Sequence, residues 1–442
     1  MNILLMTNTY KPLVGGLERS VISFATEYRK AGHRVIIVAP EFPDMEAEED
    51  VIRIPAMKNF NVTDFSVQLP IHKTLTEGWG DFCPQIVHSQ HPFLIGDTAL
   101  RVASKYNVPL VFTHHSLYEE NVHYMPGNED ALKRFMIELS TGYANLADHV
   151  FAPSESVKLM MQERGVTTAI DVVPTGIYME QFARGAGKAF RQKLNIPGDA
   201  FVVGHVGRLA SEKNLEFVTR AVAKFLKKEP TALFLIGGTG PAEDFIKEIM
   251  NKEGLTDRLH LAGMLKGKDL VDAYHAMDVF VFASQSETQG LVVTEAMASG
   301  IPVVAVDAPG VREVVKDTVN GRLLAQESIK DFVAGLEWIK KKPVLQMKKI
   351  KKACKETAQG FLMKDCAQKA LDIYVSLTIN RGFSRRETED NFWSNAIRSF
   401  QTQWGLAKNL THATEAYYKS SVPEALSHAH KDQTLAEAHV QN

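Results

Sequence analysis

Only three cysteines, Cys83, Cys354 and Cys366, occur in 442 residues. An odd number so scattered supports neither a disulfide framework nor a metal-ligand spacing, and a reducing compartment is the simpler reading. No uninterrupted apolar stretch approaches the roughly 18 residues of a membrane-spanning helix. The opening MNILLMTNTY has neither the basic nor the apolar region of a signal peptide. A cytoplasmic protein is expected, at most peripheral at the inner face of the membrane. Neither charge is in excess: 50 Lys and Arg stand against 52 Asp and Glu, a formal net charge of −2. That balance gives no global reason to expect nucleic acid, so an anionic partner has to meet a local patch. Two motifs are missing as well. KPLVGGLERS does not supply the G-x-G-x-x-G of a dinucleotide site, which disfavours a nicotinamide dehydrogenase. No Asp-x-Asp pair occurs, which argues against a divalent ion holding a diphosphate.

What is present is periodic. NILLMT reads as a buried strand, followed by a turn at Gly15-Gly16. Leu17, Val21, Phe24, Ala25 and Tyr28 then mark one face of a helix, Gly32 ends it, and RVIIVA is the next strand. Such a βαβ unit implies a parallel sheet. QIVHSQ, PLVFTHH, HVFAPS and DVVPTG continue the series. A second series begins near Ala200 with FVVGHVG, ALFLIGG, LHLAGM, VFVFAS, PVVAV and GRLL. The expected fold is α/β, two tandem doubly wound Rossmann-like domains facing a central cleft, with ligands at the carboxyl ends of the strands. The expected boundaries are 1–180, 181–378 and a C-terminal extension, 379–442. In that extension NRGFSRRETEDN reads as a polar linker, and Trp393, Ile397, Phe400 and Trp404 share one helical face. That stripe is expected to pack on the first domain, the other reading being an interfacial anchor; the last twenty or so residues read as disordered.

The chemistry concentrates in SETQGLVVTEAMASGIPVVA, Ser286 to Ala305. Glu287 falls in a loop after a strand, Gly290 opens a helix, and Glu295 lies in its second turn, facing crevice or solvent according to register. The free N–H groups of a first helical turn attract phosphate. Carboxylates accept hydrogen bonds from paired sugar hydroxyls, which suits a ribose or hexose beside a diphosphate. The bland alternative is a glutamate favouring the helix dipole and a surface glutamate. Arg208 and Lys213, in GHVGRLASEKN, sit in another strand-to-helix loop, where two cations neutralise a leaving diphosphate. Gly15-Gly16 lets backbone amides approach a ligand from the opposite lobe, although a tight turn also uses such a pair. His114 and His115 end a strand on the ligand side, and with His88 and His91 they suggest a metal cluster that no carboxylate or cysteine completes. The run KKKPVLQMKKIKKACK, Lys340 to Lys355, suits anionic headgroups or a solvated face. MKNFNVTDFSVQLP, Met57 to Pro70, offers Phe60, Val62, Phe65 and Val67 as an apolar loop or a core strand.

Together these stretches resemble the retaining glycosyltransferases of the GT-B fold known as family four, over roughly residues 1–378. Glu287 to Glu295 is similar to that family's E-x7-E motif, and GRLASEKN, GGTGP, VVPTGIYMEQF and NGRLL match further family segments. The resemblance implies a nucleotide-sugar donor in the second lobe, with Glu295 on the ribose and Glu287 on the hexose. The amides of Gln289, Gly290 and Leu291 would face the donor, and Arg208 and Lys213 its diphosphate. Gly16 would close over it beside Gly15, with His115 near the sugar. It implies no cofactor and no metal, and same-face attack with the departing phosphate helping to deprotonate the acceptor. THHSLYEENVHY and SETQGL also resemble stretches of bacterial diacylglycerol glucosyltransferases. That narrower likeness implies UDP-glucose, a lipid acceptor and peripheral membrane contact. The alternatives are a transferase of cell-surface polysaccharide or other glycan assembly, a nucleotide-sugar epimerase, and a non-catalytic nucleotide-sugar sensor.

Overall fold

The computed structural model describes residues 1–13, 15–42, 46–57, 67–68, 80–124, 127–387 and 392–421. Its first lobe is a seven-stranded sheet of β1 (Asn2–Met6), β2 (Arg34–Pro40), β3 (Val51–Ile54), β4 (Ile86–Ser89), β5 (Leu110–Thr113), β6 (His149–Ala152) and β7 (Ile170–Val172), in the order β3-β2-β1-β4-β5-β6-β7. The pairing is parallel throughout, with Leu4 opposite Ile36 on one side and Val87 on the other. Continuous apolar runs suit such strands, because helices cover both faces; Ile3, Leu4, Leu5 and Met6 are all buried. Three helices matter below: α1 (Gly16–Lys30), α2 (Ile95–Tyr106) and α3 (Glu129–Leu146).

The second lobe repeats the plan with six strands: β8 (Phe201–Val206), β9 (Ala232–Gly237), β10 (Leu259–Leu261), β11 (Val279–Phe282), β12 (Val303–Val306) and β13 (Gly321–Leu324). Their order, β10-β9-β8-β11-β12-β13, is again parallel. In both sheets the order reverses beside the first strand, β1 or β8, and ligands of such sheets lie outside the carboxyl ends at that point. The loop after β1 leads to Gly15 and Gly16, and the loop after β8 holds Arg208 and Lys213. Among the described residues, β3 is the one full-length strand the apolar runs left out; Arg53 interrupts its pattern. Phe60, Val62 and Phe65 lie outside the described residues.

From the second lobe α5 (Val344–Gln359) leads to α6 (Met363–Glu387), which returns to pack on α1. The chain thus crosses between lobes twice, and the crossings touch. Ile177 donates its N–H to Phe361 at 2.7 Å, and Met363 donates to the Ile177 carbonyl at 3.0 Å. A Cβ on Gly176 would stand 2.3 Å from the Met363 Cα, so only glycine allows this approach. Tyr374 of α6 then enters the first-lobe core, stacked on Phe151 at 5.9 Å with its hydroxyl 2.5 Å from His88 Nδ1. The second domain expected to run to 378 therefore gives up its last helix to the first lobe.

The linker expected from Asn380 is helical through Glu387, and the tail expected to be disordered, 422–442, lies outside the described residues. Helix α7 (Phe392–Ser421) packs on α2 and α3, but not through Phe400 and Trp404 of the stripe expected to pack there; Leu406, Asn409 and Ala413 face the first lobe instead. Asn409 donates to the Leu139 carbonyl at 3.0 Å, and Ala413 is fully buried. Phe400 and Trp404 point the opposite way, stacked on each other at 6.5 Å and 69% and 64% exposed. Among the described helices none is long and apolar enough to cross a membrane.

Candidate active site

The loop after β11 leads into α4 (Leu291–Ala298), whose N-cap is Gly290 in the left-handed region, φ +68°. No side chain caps it, and while the Val293 N–H turns back on the Gly290 carbonyl at 2.9 Å, Gly290 and Leu291 at its start line the space between the lobes. Glu287 in that loop meets Lys213 from the turn Ser211–Lys213, Oε1 to Nζ 2.6 Å, with both side chains mostly buried. Ser284 Oγ donates to the Glu212 carbonyl at 3.0 Å and binds the two loops together.

The first lobe closes on this loop through backbone recognition. Thr288 Oγ1 donates to the His115 carbonyl at 2.7 Å, and Ser154 Oγ donates to the Thr288 carbonyl at 2.7 Å. Gln289 grips the backbone of Thr175 twice, accepting its N–H at 2.7 Å and donating to its carbonyl at 2.5 Å. Its side chain is thereby spent on joining the lobes, a task an aromatic residue could not perform. Between the lobes lies a cavity of about 250 Å³, lined by Gly16, Leu17 and His115 on one side and Lys213, Glu287, Gly290 and Leu291 on the other. His115 Nε2 is 2.6 Å from Gln90 Oε1, and burial lowers the imidazole to about 3, so it is neutral at ordinary pH.

Seven of the ten expected residues, Gly16, His115, Lys213, Glu287, Gln289, Gly290 and Leu291, line this cavity. Three do not. Gly15 packs under the Glu18 carboxylate, away from the cavity lining. Arg208 is exposed, with no side-chain partner among the described residues. Glu295 faces neither open crevice nor solvent: it is 1% exposed, with Oε2 accepting from Tyr274 Oη at 2.8 Å and Oε1 ion-paired with Arg19 of α1. Burial and the Glu295 charge hold the Tyr274 hydroxyl well above its usual range, so it remains a donor. His88 and His91 are spent in the core, on Thr113 and Tyr374 and on the Asn8 N–H.

The model for Glycosyltransferase Family 4 matches residues 14–181, and that for Glycosyl transferases group 1 matches 187–360. The alpha-monoglucosyldiacylglycerol synthase of Streptococcus pneumoniae is 32% identical over 337 residues, which cover 73% of this chain and 75% of that protein. The chain belongs to the family 4 glycosyltransferases, of the GT-B fold. A GDP-mannose-dependent alpha-mannosyltransferase of Mycobacterium tuberculosis is 28% identical over 339 residues, 73% of this chain and 84% of that one. In overall shape the transferase matches Anabaena HepE in complex with UDP-glucose with a TM-score of 0.67, at 20% identity over 85% of this chain and all of the other.

Three further residues of the glycosyltransferase escaped the sequence. Tyr274 sits in an apolar helical pattern that reads as core, and Thr175 acts through its backbone. Arg19 left one signal, its place three residues after Gly16. The segment beyond residue 360, with α6 and α7, lies outside both family models.

Proposed function

We propose that this glycosyltransferase moves glucose from UDP-glucose to a hydroxyl of diacylglycerol or a similar lipid, with retention at the anomeric carbon and without a metal ion. The observation that carries the transfer reading is the Lys213–Glu287 pair facing an uncapped helix N-terminus across from the first lobe. In this reading Lys213 and Arg208 meet the diphosphate, and the first N–H groups of α4 add positive potential. Glu287 accepts hydrogen bonds from the hexose and Glu295 from the ribose. As the bond between the anomeric carbon and the phosphate oxygen breaks, the acceptor oxygen bonds to that carbon from the same face. The acceptor proton passes to the departing phosphate. Glu287, already paired with Lys213, is a poor candidate for a covalent nucleophile, which supports same-face attack over double displacement. Two protein cations at the diphosphate supply the charge that a divalent ion supplies in other transferases.

The lipid acceptor rests on the pneumococcal relative and on the surface. Lys340 to Lys355 contain eight lysines and no acidic residue. Val344 and Leu345, at the start of α5, are 71% and 74% exposed. A basic helix with an apolar tip suits an anionic bilayer, and Phe400 and Trp404 offer a second apolar contact. Similarity to mannosyltransferases supports a second donor, GDP-mannose.

The test is purified protein without added metal, given UDP- and GDP-sugars with and without diacylglycerol vesicles. Nucleotide release and glycolipid mass are the readouts. We expect hexose on the lipid only with UDP-glucose and vesicles. Transfer from GDP-mannose alone would replace the donor assignment. Nucleotide release indifferent to vesicles would replace the lipid with a soluble or polyprenyl-linked glycan acceptor.

A further inference from the structure

Glu295 presents a conflict that the proposed function does not resolve. A carboxylate that grips two ribose hydroxyls needs its oxygens accessible, yet Glu295 is 1% exposed and each oxygen already faces a partner. Oε2 accepts from Tyr274, which is itself fully buried, and Oε1 is paired with Arg19. The interlobe cavity stops short of Glu295, and its volume of about 250 Å³ lies below the roughly 300–1,000 Å³ usual for ligand pockets. Something must yield before a nucleotide fits. Tyr274 cannot, being enclosed between Phe182 and Phe280 in the second-lobe core. Arg19 can: its side chain is 39% exposed, at the surface end of a flexible stem.

Arg19 also belongs to the other lobe. It sits in the first turn of α1, whose glycine start faces Leu291 of α4 at 3.7 Å from a would-be Gly16 Cβ. Its ion pair therefore draws α1 onto the helix that carries Glu295, and it satisfies a buried carboxylate whose second oxygen would otherwise lose its partner.

We propose that Arg19 is a latch that competes with the donor: it pairs with Glu295 and is displaced by the ribose diol of the incoming nucleotide. Donor binding and this interlobe ion pair then exclude one another. A ligand offering two adjacent hydroxyl donors replaces the guanidinium contact in kind, whereas a lone phosphate or sugar does not. Arg19 is thus a positioning residue that sets how much of the donor's affinity is spent on opening the site. The inference rests on Glu295 as the ribose carboxylate.

Calorimetric titration of UDP and of GDP into the full chain decides it, comparing wild type, Arg19→Met, Arg19→Lys and Glu295→Gln. With the competitor removed, Arg19→Met should bind its nucleotide about fivefold more tightly, the scale of releasing one partly exposed ion pair. Arg19→Lys, which restores the cation, should return to the wild-type value. A merely structural arginine would weaken binding when lost. Equal or weaker binding by Arg19→Met overturns the latch, the weaker case showing that Arg19 holds the nucleotide instead. If Glu295→Gln leaves affinity unchanged, the ribose assignment falls and takes the latch with it, while the donor reading stands. If neither nucleotide binds any of the four proteins, the donor reading fails first.

Discussion

Replacing Lys213 with alanine should lower turnover by roughly two to three orders of magnitude while nucleotide affinity changes far less. The reason is where the charge develops. A diphosphate leaving a sugar gains negative charge as the bond breaks, and a fixed cation in a half-closed site stabilises that state more than the bound substrate; removing one such group costs about 10²–10³ in rate. Lys213 is fixed: its ammonium is held at 2.6 Å by Glu287, and its loop is tied to the next by Ser284. Arg208, exposed and without a side-chain partner among the described residues, has more freedom and should matter less on its own. The alanine variant also leaves Glu287 mostly buried without its counter-ion, so the two effects need separating. Loss of hexose binding alone would raise KM, whereas loss of charge at the transition state lowers kcat. Steady-state kinetics of Lys213→Ala beside Lys213→Arg reads the split. A kcat within threefold of wild type for the alanine variant would remove Lys213 from the chemistry.

Acid should unfold the protein abruptly, well above the range in which its carboxylates titrate. His88, His91, His114 and His205 are all at most 4% exposed. Burial lowers His91 and His114 to about 3 and His205 to about 4, and it holds His88 well below its usual value. The unfolded chain takes up these protons near pH 6.5, and the folded chain resists until pH 3 to 4. Between those limits the unfolded state binds more protons, so stability falls as pH falls. It is complete above about 6.5 and drops by up to about 1.4 kcal/mol per pH unit for each histidine. The three in the first lobe, His88, His91 and His114, together remove up to about 8 kcal/mol within two units, comparable with the about 5–15 kcal/mol that holds a domain, while His205 loads the second lobe alone. His114 sharpens the effect, because neither ring nitrogen has a hydrogen-bond partner among the described residues. Melting temperatures measured from pH 7.5 to 5 should be flat above about 6.5 and fall by more than about 10 °C below it. A flat curve down to pH 5 would mean that these rings are protonated in the fold.

The strands were legible because parallel sheets ask for continuous apolar runs, and both sheets supplied them. Glu287 and Lys213 were legible for a related reason: polar residues just after such a run lie at the ligand end. Glu295 was harder. Its helix reads LVVTEAMA, apolar on nearly every side, so no polar face indicated where a glutamate would turn. Its true surroundings depend on Tyr274 and Arg19, partners far away in the chain that no local period connects. The same limit hid the course of α6. Its polar end reads as a linker, and only the pocket between Tyr28, His88 and Phe151 explains why Tyr374 draws the helix back across. Phe400 and Trp404, facing outward on α7, show the converse: large apolar residues at helical spacing name a face, but Leu406, Asn409 and Ala413 decided which face was buried.

That return of α6 sets the order in which the molecule can be finished. The core of the second lobe draws on the contiguous stretch from Ile177 to Ala358, which can close as soon as it leaves the ribosome. The first lobe, though synthesised earlier, must wait with an open seam for Tyr374 and a bare flank for Ala413. The half of the enzyme made first is the half completed last.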